Sequence, residues 1–306
     1  MLQDERNVGN VFVADILKPD KLSGKCSYVR IDIRNKIPAD AIKAEIACIV
    51  NLAAVHKTPG HPAGEYFDTN INGAQHICSF AQERNIRTII FTSSISVYGP
   101  DEEEKTEESL TRPNIPYGIS KIIAEYIHRE WYLGGPERHL TILRPAVIFG
   151  KGEKGNFTRI AKALRKGIFV YPGRKNTVKS CCYVKDICRL IVREIERPQG
   201  YSLHNFCYPE KITLEDVCNA FHVALGYHVP LASVPQSLVN LGVSVAKRVD
   251  VPFLRSLGLH ADRVAKLVNS TNISSRHLIQ GGFSFKYDLV TAIKDWSSDC
   301  GGKTLF

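Results

Sequence analysis

Short apolar runs rich in β-branched residues alternate with helical stretches through the first half of this chain, and that alternation restricts the fold more than any other feature. The runs are Val11–Asp15, Ser27–Ile33, Ala47–Leu52, Thr88–Phe91 and Leu140–Arg144. Helical patterns fall between them, from Asn70 to Arg84 and from about Tyr117 to Tyr132. Strands buried on both faces read as continuous apolar runs, and strand–helix–strand repetition builds a parallel sheet. The expected class is therefore α/β, a doubly wound parallel sheet. Ligands of such sheets sit beyond the carboxyl ends of the strands. Asp15, Asp32, Ala53, Ala54, Ser94 and Pro145 all stand at or just past such ends.

After Gly150 the pattern changes to a basic loop, a helix from about Asn156 to Lys166, short strands, and a helix from Lys185 to Glu196. This predicts two parts, a nucleotide-type domain over 1–150 and a smaller C-terminal substrate lobe over 151–306, with about 181–206 returning to the sheet. Asp101 to Glu108 holds six acids and one lysine and reads as a solvated loop. Cys300 and the residues from Gly301 to Phe306 read as a frayed tail.

Charge narrows the range of ligands. The formal net charge is +9, and Lys151 to Lys185 carries ten Lys or Arg against one acid, Glu153. A local basic lobe suits a phosphorylated ligand. Aromatic residues do not interleave with it as in single-strand binders, so nucleic acid is not expected. The longest stretch free of Asp, Glu, Lys and Arg, Val217 to Ala246, is broken by Pro230, Pro235 and several polar residues, so no membrane span is expected. Charged residues at the start, with no apolar run behind them, point to a cytoplasmic chain. The nine cysteines include no Cys-x-x-Cys pair and read as reduced core thiols, with no metal site.

Chemistry concentrates in Tyr117-Gly118-Ile119-Ser120-Lys121. Spacing of four puts the phenol and the ammonium on one helix face. An unperturbed phenol titrates near pH ~10, so a base working at neutrality needs a neighbouring cation and a hydrogen-bond donor. Ser94 is the candidate donor. His128, seven residues past Lys121, reads as a surface residue, and Tyr98 and Tyr183 as packing residues. Asp15 stands where an acid binds an adenosine ribose diol and repels a 2′-phosphate, favouring NAD over NADP.

The runs Asn51-Leu52-Ala53-Ala54, Asn70-Ile71-Asn72-Gly73, Phe91 to Gly99, Tyr117 to Lys121 and Leu143 to Gly150 occur in one order. Together they closely resemble the extended short-chain dehydrogenase/reductase family, in particular its NAD-dependent nucleotide-sugar epimerases and dehydratases. The resemblance implies a Rossmann-like fold with NAD as cofactor and a nucleotide-diphosphate sugar as substrate, commonly a UDP-hexose or UDP-hexosamine. It implies catalysis by Ser94, Tyr117 and Lys121. Cofactor contacts fall to Asp15, Asp32, Ile33, Leu52, Ala53, Ala54, Asn70, Tyr117, Lys121 and Pro145. Substrate contacts fall to Ser94, Asn156, Phe157 and Lys179, where lysine replaces the family's frequent arginine and keeps the charge without the planar grip. A homodimer through the Asn70–Arg84 and Tyr117–Tyr132 helices is also implied.

Family members open with a strand and a Gly-x-x-Gly-x-x-Gly turn, which this sequence lacks. Met1 to Asn7 resembles the tail of the helix behind that turn, and the usual offset of about 20 residues to the acid predicts a turn ahead of Met1. Ile95 and Ser96 stand where dehydratases carry an Asp-Glu pair, which argues against dehydration, and Ile95 stands where deoxysugar epimerase-reductases carry cysteine. The expected reaction is epimerisation at C4 through a 4-keto intermediate. A 4-keto reductase or dehydrogenase, and an inactive binding relic, are the alternatives.

Overall fold

A computed structural model describes residues 9–20, 22, 26–58, 60–230, 232–235, 237–238, 268–302 and 305. The helix tail expected at Met1–Asn7 lies outside them. The chain divides into two units, one of 1–99, 107–145 and 187–206, the other of 100–106, 146–186 and 207–306.

In the first unit, strands β1 (Val11–Asp15) and β2 (Cys26–Arg30) pair in parallel as a two-stranded sheet. Strands β3 (Cys48–Asn51), β4 (Thr88–Thr92), β6 (His139–Pro145) and β10 (Tyr201–Phe206) form a separate parallel sheet in the order β10-β6-β4-β3. Parallel neighbours need crossovers, and helices supply them. The first crossover is one continuous helical run: α1 (Ala63–Phe67), a π-helical turn (Asp68–Asn72) and α2 (Gly73–Glu83). The second contains α3 (Pro116–Leu133), which starts with proline in its first turn, where a missing N–H costs nothing, and stops at Gly134. Ile89, Leu140, Ile142, Ala81 and Ala124, all 0% exposed, form the centre of this unit's core.

The second unit contains the acidic segment. Asp101–Lys105 is strand β5, paired in parallel with β12 (Thr271–Ile273), and not the solvated loop that its charge suggested. Neighbouring cations make the strand tolerable: Lys105 reaches Asp101 at 2.7 Å, Arg174 bonds Glu102, and Arg276 lies 3.3 Å from Glu104. Strands β7 (Val147–Phe149) and β9 (Cys181–Tyr183) pair in parallel, as do β8 (Tyr171–Pro172) and β11 (Ser233–Val234). Helices α4 (Asn156–Arg165), α6 (Leu214–Leu225), α7 (Arg276–Gln280) and α8 (Leu289–Asp299) complete the unit, while α5 (Val184–Glu196) starts in it and continues into the first. Capping boxes start α6 (Thr213 with Asp216) and α8 (Asp288 with Thr291). Phe149, Phe157, Tyr183, Phe221 and Trp296 form its aromatic core, with Phe149 and Phe157 stacked at 4.5 Å. Leu305, placed by the sequence in a frayed tail, is buried in that core, and Cys300 is half-buried.

All nine cysteines are free thiols. Burial pushes the Cys78 and Cys218 thiols up to about 12 and those of Cys181 and Cys182 well above their ordinary value. Among the described residues no helix is long and apolar enough to cross a membrane, and no His, Cys, Asp and Glu cluster could hold a metal.

Candidate active site

β4 ends at Thr92, and the chain turns through Ser93 and Ser94 into a 3-10 turn, Ile95–Val97. The Ser94 hydroxyl caps that turn, accepting the Ser96 N–H at 3.1 Å. Facing it is the first turn of α3. A Cβ added to Gly118 would lie 2.4 Å from the Ser96 carbonyl oxygen, so only glycine lets the two backbones meet this closely. That approach brings Tyr117 to Ser94, close enough for the serine hydroxyl to draw the phenol's pKa down. Tyr66 lies beside Tyr117, ring centroids 6.2 Å apart.

Lys121, one turn along, is 2% exposed and directs its ammonium over the Phe91 ring, 4.4 Å from the centroid. Burial brings its pKa down to about 7, opposed by the charge of Glu125. The Tyr117 phenol stands above its ordinary value, raised by burial and drawn back by the Ser94 hydroxyl beside it. Here the ammonium faces Phe91 from inside the core, so the phenol is not lowered as the sequence suggested. His128, expected at the surface, is 0% exposed and stacks on Phe91 at 4.1 Å. Its Nδ1 is 2.7 Å from the Ala124 carbonyl and its Nε2 is 3.3 Å from Asn51 Nδ2. Both partners are met by a neutral ring protonated on Nδ1, and burial lowers its pKa to about 4.

A buried polar network that the sequence reading missed fixes the Ser94 segment. Glu125 accepts the Ser93 hydroxyl at 2.5 Å and both Arg144 Nε and Nη2, at 2.9 and 2.6 Å. Arg144 also donates to the Tyr98 hydroxyl at 2.7 Å, which donates to Asn205 at 2.8 Å. Burial alone would lower the Arg144 pKa, but the Glu125 carboxylate beside it outweighs that and leaves it raised. One signal was available: Glu125 follows Lys121 by four residues, the spacing that joins Tyr117 to Lys121.

The expected cofactor residues lie at the strand ends of the first unit. Asp15, at the end of β1, is exposed, and its carboxylate accepts the Leu17 N–H at 2.9 Å. Asp32, after β2, is held below the ordinary carboxylate range by hydrogen bonds from Arg34. Ile33 packs against Gly73, where an added Cβ would come within 2.4 Å of it. Leu52 is 59% exposed, Ala53 is exposed and Ala54 half-buried, and the Ala53 N–H is held by the Asn51 side-chain oxygen at 3.2 Å. Asn70 differs: it is buried in the π-helical turn, with its amide engaged by Val55 and Ser120. Its role in this structure is to pin the loop after β3 to α3. Pro145 closes β6 and is buried.

In the second unit, Asn156 opens α4 after Gly155 and accepts from Arg159 at 3.5 Å. Phe157 is 3% exposed, with its ring inside the aromatic core. Lys179 is half-buried, donates to the Asn269 carbonyl, and is lowered to about 7 by burial.

The sequence profile of the NAD dependent epimerase/dehydratase family matches residues 5–205. N-acetyl-alpha-D-glucosaminyl-diphospho-ditrans,octacis-undecaprenol 4-epimerase of Escherichia coli O157:H7 is 29% identical over 260 residues, 84% of this chain and 78% of that protein. UDP-glucose 4-epimerase of Bacillus subtilis is 24% identical over 254 residues, 73% of this chain and 75% of its own. Among solved structures, MoeE5 in complex with UDP-glucuronic acid and NAD has a TM-score of 0.73 at 20% identity, covering 95% of this chain and 91% of its own. UDP-N-acetylglucosamine 4-epimerase from Bacillus cereus also has a TM-score of 0.73, at 19% identity over 96% of this chain and 89% of its own. With the Ser94 and Tyr117 pair at the end of β4, a parallel sheet and a profile match over most of the chain, this protein belongs to the NAD dependent epimerase/dehydratase family.

Proposed function

We propose that the chain inverts C4 of a hexose or N-acetylhexosamine carried on a diphosphate, with NAD as resident cofactor. The observation that carries this reading is Tyr117 set against Ser94, with Lys121 one turn further along α3. Ile95 and Ser96 follow Ser94 and offer neither carboxylate nor thiol, which leaves reversible oxidation at one carbon as the chemistry the set can perform.

The residues present fit the dinucleotide on chemistry: an exposed carboxylate at Asp15, a second at Asp32, and the exposed Leu52 and Ala53, with Ala54, just past β3. Ile33, Pro145, Tyr117 and Lys121 complete the proposed set, with Asn70 acting through the loop after β3 that it pins. NAD, when bound, supplies the acceptor for the C4 hydrogen and returns it. Tyr117 removes the C4 hydroxyl proton and gives it back to the ketone, while Ser94 holds that oxygen. Lys121 is the cation able to favour the phenolate once its ammonium turns from Phe91 toward the phenol. Asn156, Phe157 and Lys179 are the residues proposed for the diphosphate end of the substrate.

The carrier beyond the diphosphate has two readings. A uridine nucleotide is the first. A polyprenol is the second, favoured by the E. coli relative, whose match spans 84% of this chain, and by the basic segment from Lys151 to Lys185. We further propose a homodimer through the outer faces of α2 and α3, where Tyr126 is 54% and Leu133 70% exposed; sedimentation velocity checks it. The reaction is tested by incubating the protein with catalytic NAD and UDP-N-acetylglucosamine or diphosphopolyprenol-linked N-acetylglucosamine, and following the C4 proton by NMR. Inversion without net NADH supports the epimerase. Stoichiometric consumption of reduced cofactor on a 4-keto sugar would show the reductase instead, and dinucleotide binding without turnover the relic.

A further inference from the structure

His128 is a buried titratable side chain to which the proposed chemistry gives no task. It sits on α3, seven residues past Lys121, with its ring stacked on Phe91. Its Nδ1 faces the Ala124 carbonyl at 2.7 Å, an oxygen that can only accept, so the proton is on Nδ1 and Nε2 is bare. Burial brings its pKa down to about 4, so the ring stays neutral at neutral pH and Nε2 remains an acceptor.

Asn51, the last residue of β3 and itself buried, meets that acceptor. Its Nδ2 lies 3.3 Å from His128 Nε2, and its Oδ1 accepts the Ala53 N–H at 3.2 Å. The two ends agree: a bare Nε2 requires the amide nitrogen, and that turns the amide oxygen toward Ala53. The result is a chain of bonds whose donors all point one way, from the Ala53 N–H through Asn51 and His128 to the Ala124 carbonyl of α3. A second tie follows two residues later. Asn70 holds the N–H and the carbonyl of Val55, at 2.9 and 3.2 Å, and donates to Ser120 of α3 at 2.8 Å. The loop after β3 is therefore fastened at Ala53 and at Val55 to the helix that carries Tyr117 and Lys121. A segment fixed in this way loses little freedom when a ligand is laid along it.

We propose that His128 is a positioning residue for the cofactor: acting through Asn51, it sets the backbone of Leu52–Ala54 along which NAD lies. This rests on the placing of the dinucleotide at those residues under the proposed function. It gives α3 a second task, because the helix that presents the Tyr117 phenol also sets where the cofactor loop stands relative to it.

Calorimetric titration of the full chain with NAD, joined to amide hydrogen exchange at Ala53 without ligand, tests it. His128→Phe keeps an aromatic ring on Phe91 and removes the acceptor, which leaves the Asn51 amide nitrogen buried without a partner. NAD affinity should fall about tenfold, and exchange at Ala53 should accelerate by about the same factor. Asn51→Ala should show the same loss of affinity, and the double variant no more than either alone, since both break one chain of bonds. His128→Gln, whose amide oxygen can stand in for Nε2, should bring NAD affinity back to within about threefold of the parent. Leu140→Ala, in the same core and outside the chain of bonds, should lower the urea midpoint and leave NAD affinity within about twofold. Circular dichroism melts confirm that each variant is folded. Unchanged Ala53 exchange in His128→Phe, additive losses in the double variant, or an equal loss of affinity in Leu140→Ala would overturn the proposal. Faster Ala53 exchange with unaltered NAD affinity would mean that His128 fixes the loop and NAD lies elsewhere, which sinks the cofactor placement and the task assigned to His128. A parent chain that binds no NAD sinks the cofactor reading and the proposal together, while Ala53 exchange still decides whether His128 holds the loop.

Discussion

β1 and β4 are equally apolar strands of one unit, yet they are buried to different depths. In β4 and β6, Ile89, Ile90, Leu140, Ile142 and Leu143 are 0% exposed. In β1, Val11, Phe12 and Val13 are only half-buried, as are Cys48, Ile49 and Val50 of β3. The difference follows from pairing. β4 and β6 have a strand on each side, whereas β1 and β3 each have one strand partner among the described residues. Apolar composition makes a strand fit for burial, and neighbours on both sides complete it. The proposed reacting groups, Ser94, Tyr117 and Lys121, are anchored to the deep strands. Asp15, Asp32, Leu52 and Ala53, the proposed cofactor contacts, ride on the shallow ones.

That division can be broken or sharpened by experiment. Tyr117→Phe should lower turnover by about 10²–10⁴-fold and leave NAD affinity within about twofold, measured by steady-state kinetics and calorimetry; equal losses in both would erase the distinction between the two halves. Glu125→Leu leaves Arg144 without its carboxylate inside the deep half and should cost about 3–5 kcal/mol in urea unfolding. Native-state hydrogen exchange should find the β4 and β6 amides slowest and those of β1 and β2 about 100-fold faster or more. Uniform protection would contradict the contrast.

His128 gives a pH signature of the deep half. Its folded pKa, about 4, lies below the ordinary 6.5, so the unfolded chain binds the extra proton between those values. Stability must then rise with pH across that window and fall as acid is added. His128→Phe should flatten the urea midpoint between pH 4 and 6.5 relative to the parent. Val13→Ala in β1, with its side chain only half-buried, should cost just ~1 kcal/mol; a cost equal to that of Ile142→Ala would show β1 as deeply set as β6.

Much of this was legible before any coordinates. The spacing of apolar runs located β1, β4, β6, α3 and α4 to within a residue or two, because parallel strands and amphipathic helices write their burial into sequence period. Tyr117 and Ser94 could be singled out too, since each stands at the end of a recognisable element. What escaped was set by tertiary neighbours. Asp101–Lys105 pairs as a strand because Lys105, Arg174 and Arg276 come from elsewhere to meet its acids. His128 is buried because Phe91 and Asn51 lie opposite it, and nothing within α3 announces either. Glu125 reads as an ordinary helical acid until Arg144 and Ser93 arrive from β6 and the turn after β4.

The desolvated thiols turn each unit into its own stopwatch. Cys78 is sealed in the first unit, and Cys181, Cys182 and Cys218 in the second, with ionisation suppressed by burial. A small alkylating reagent can mark them only when the surrounding structure opens. Mass-resolved labelling over time would thus date the opening of each unit separately, in one tube, with no engineered probe.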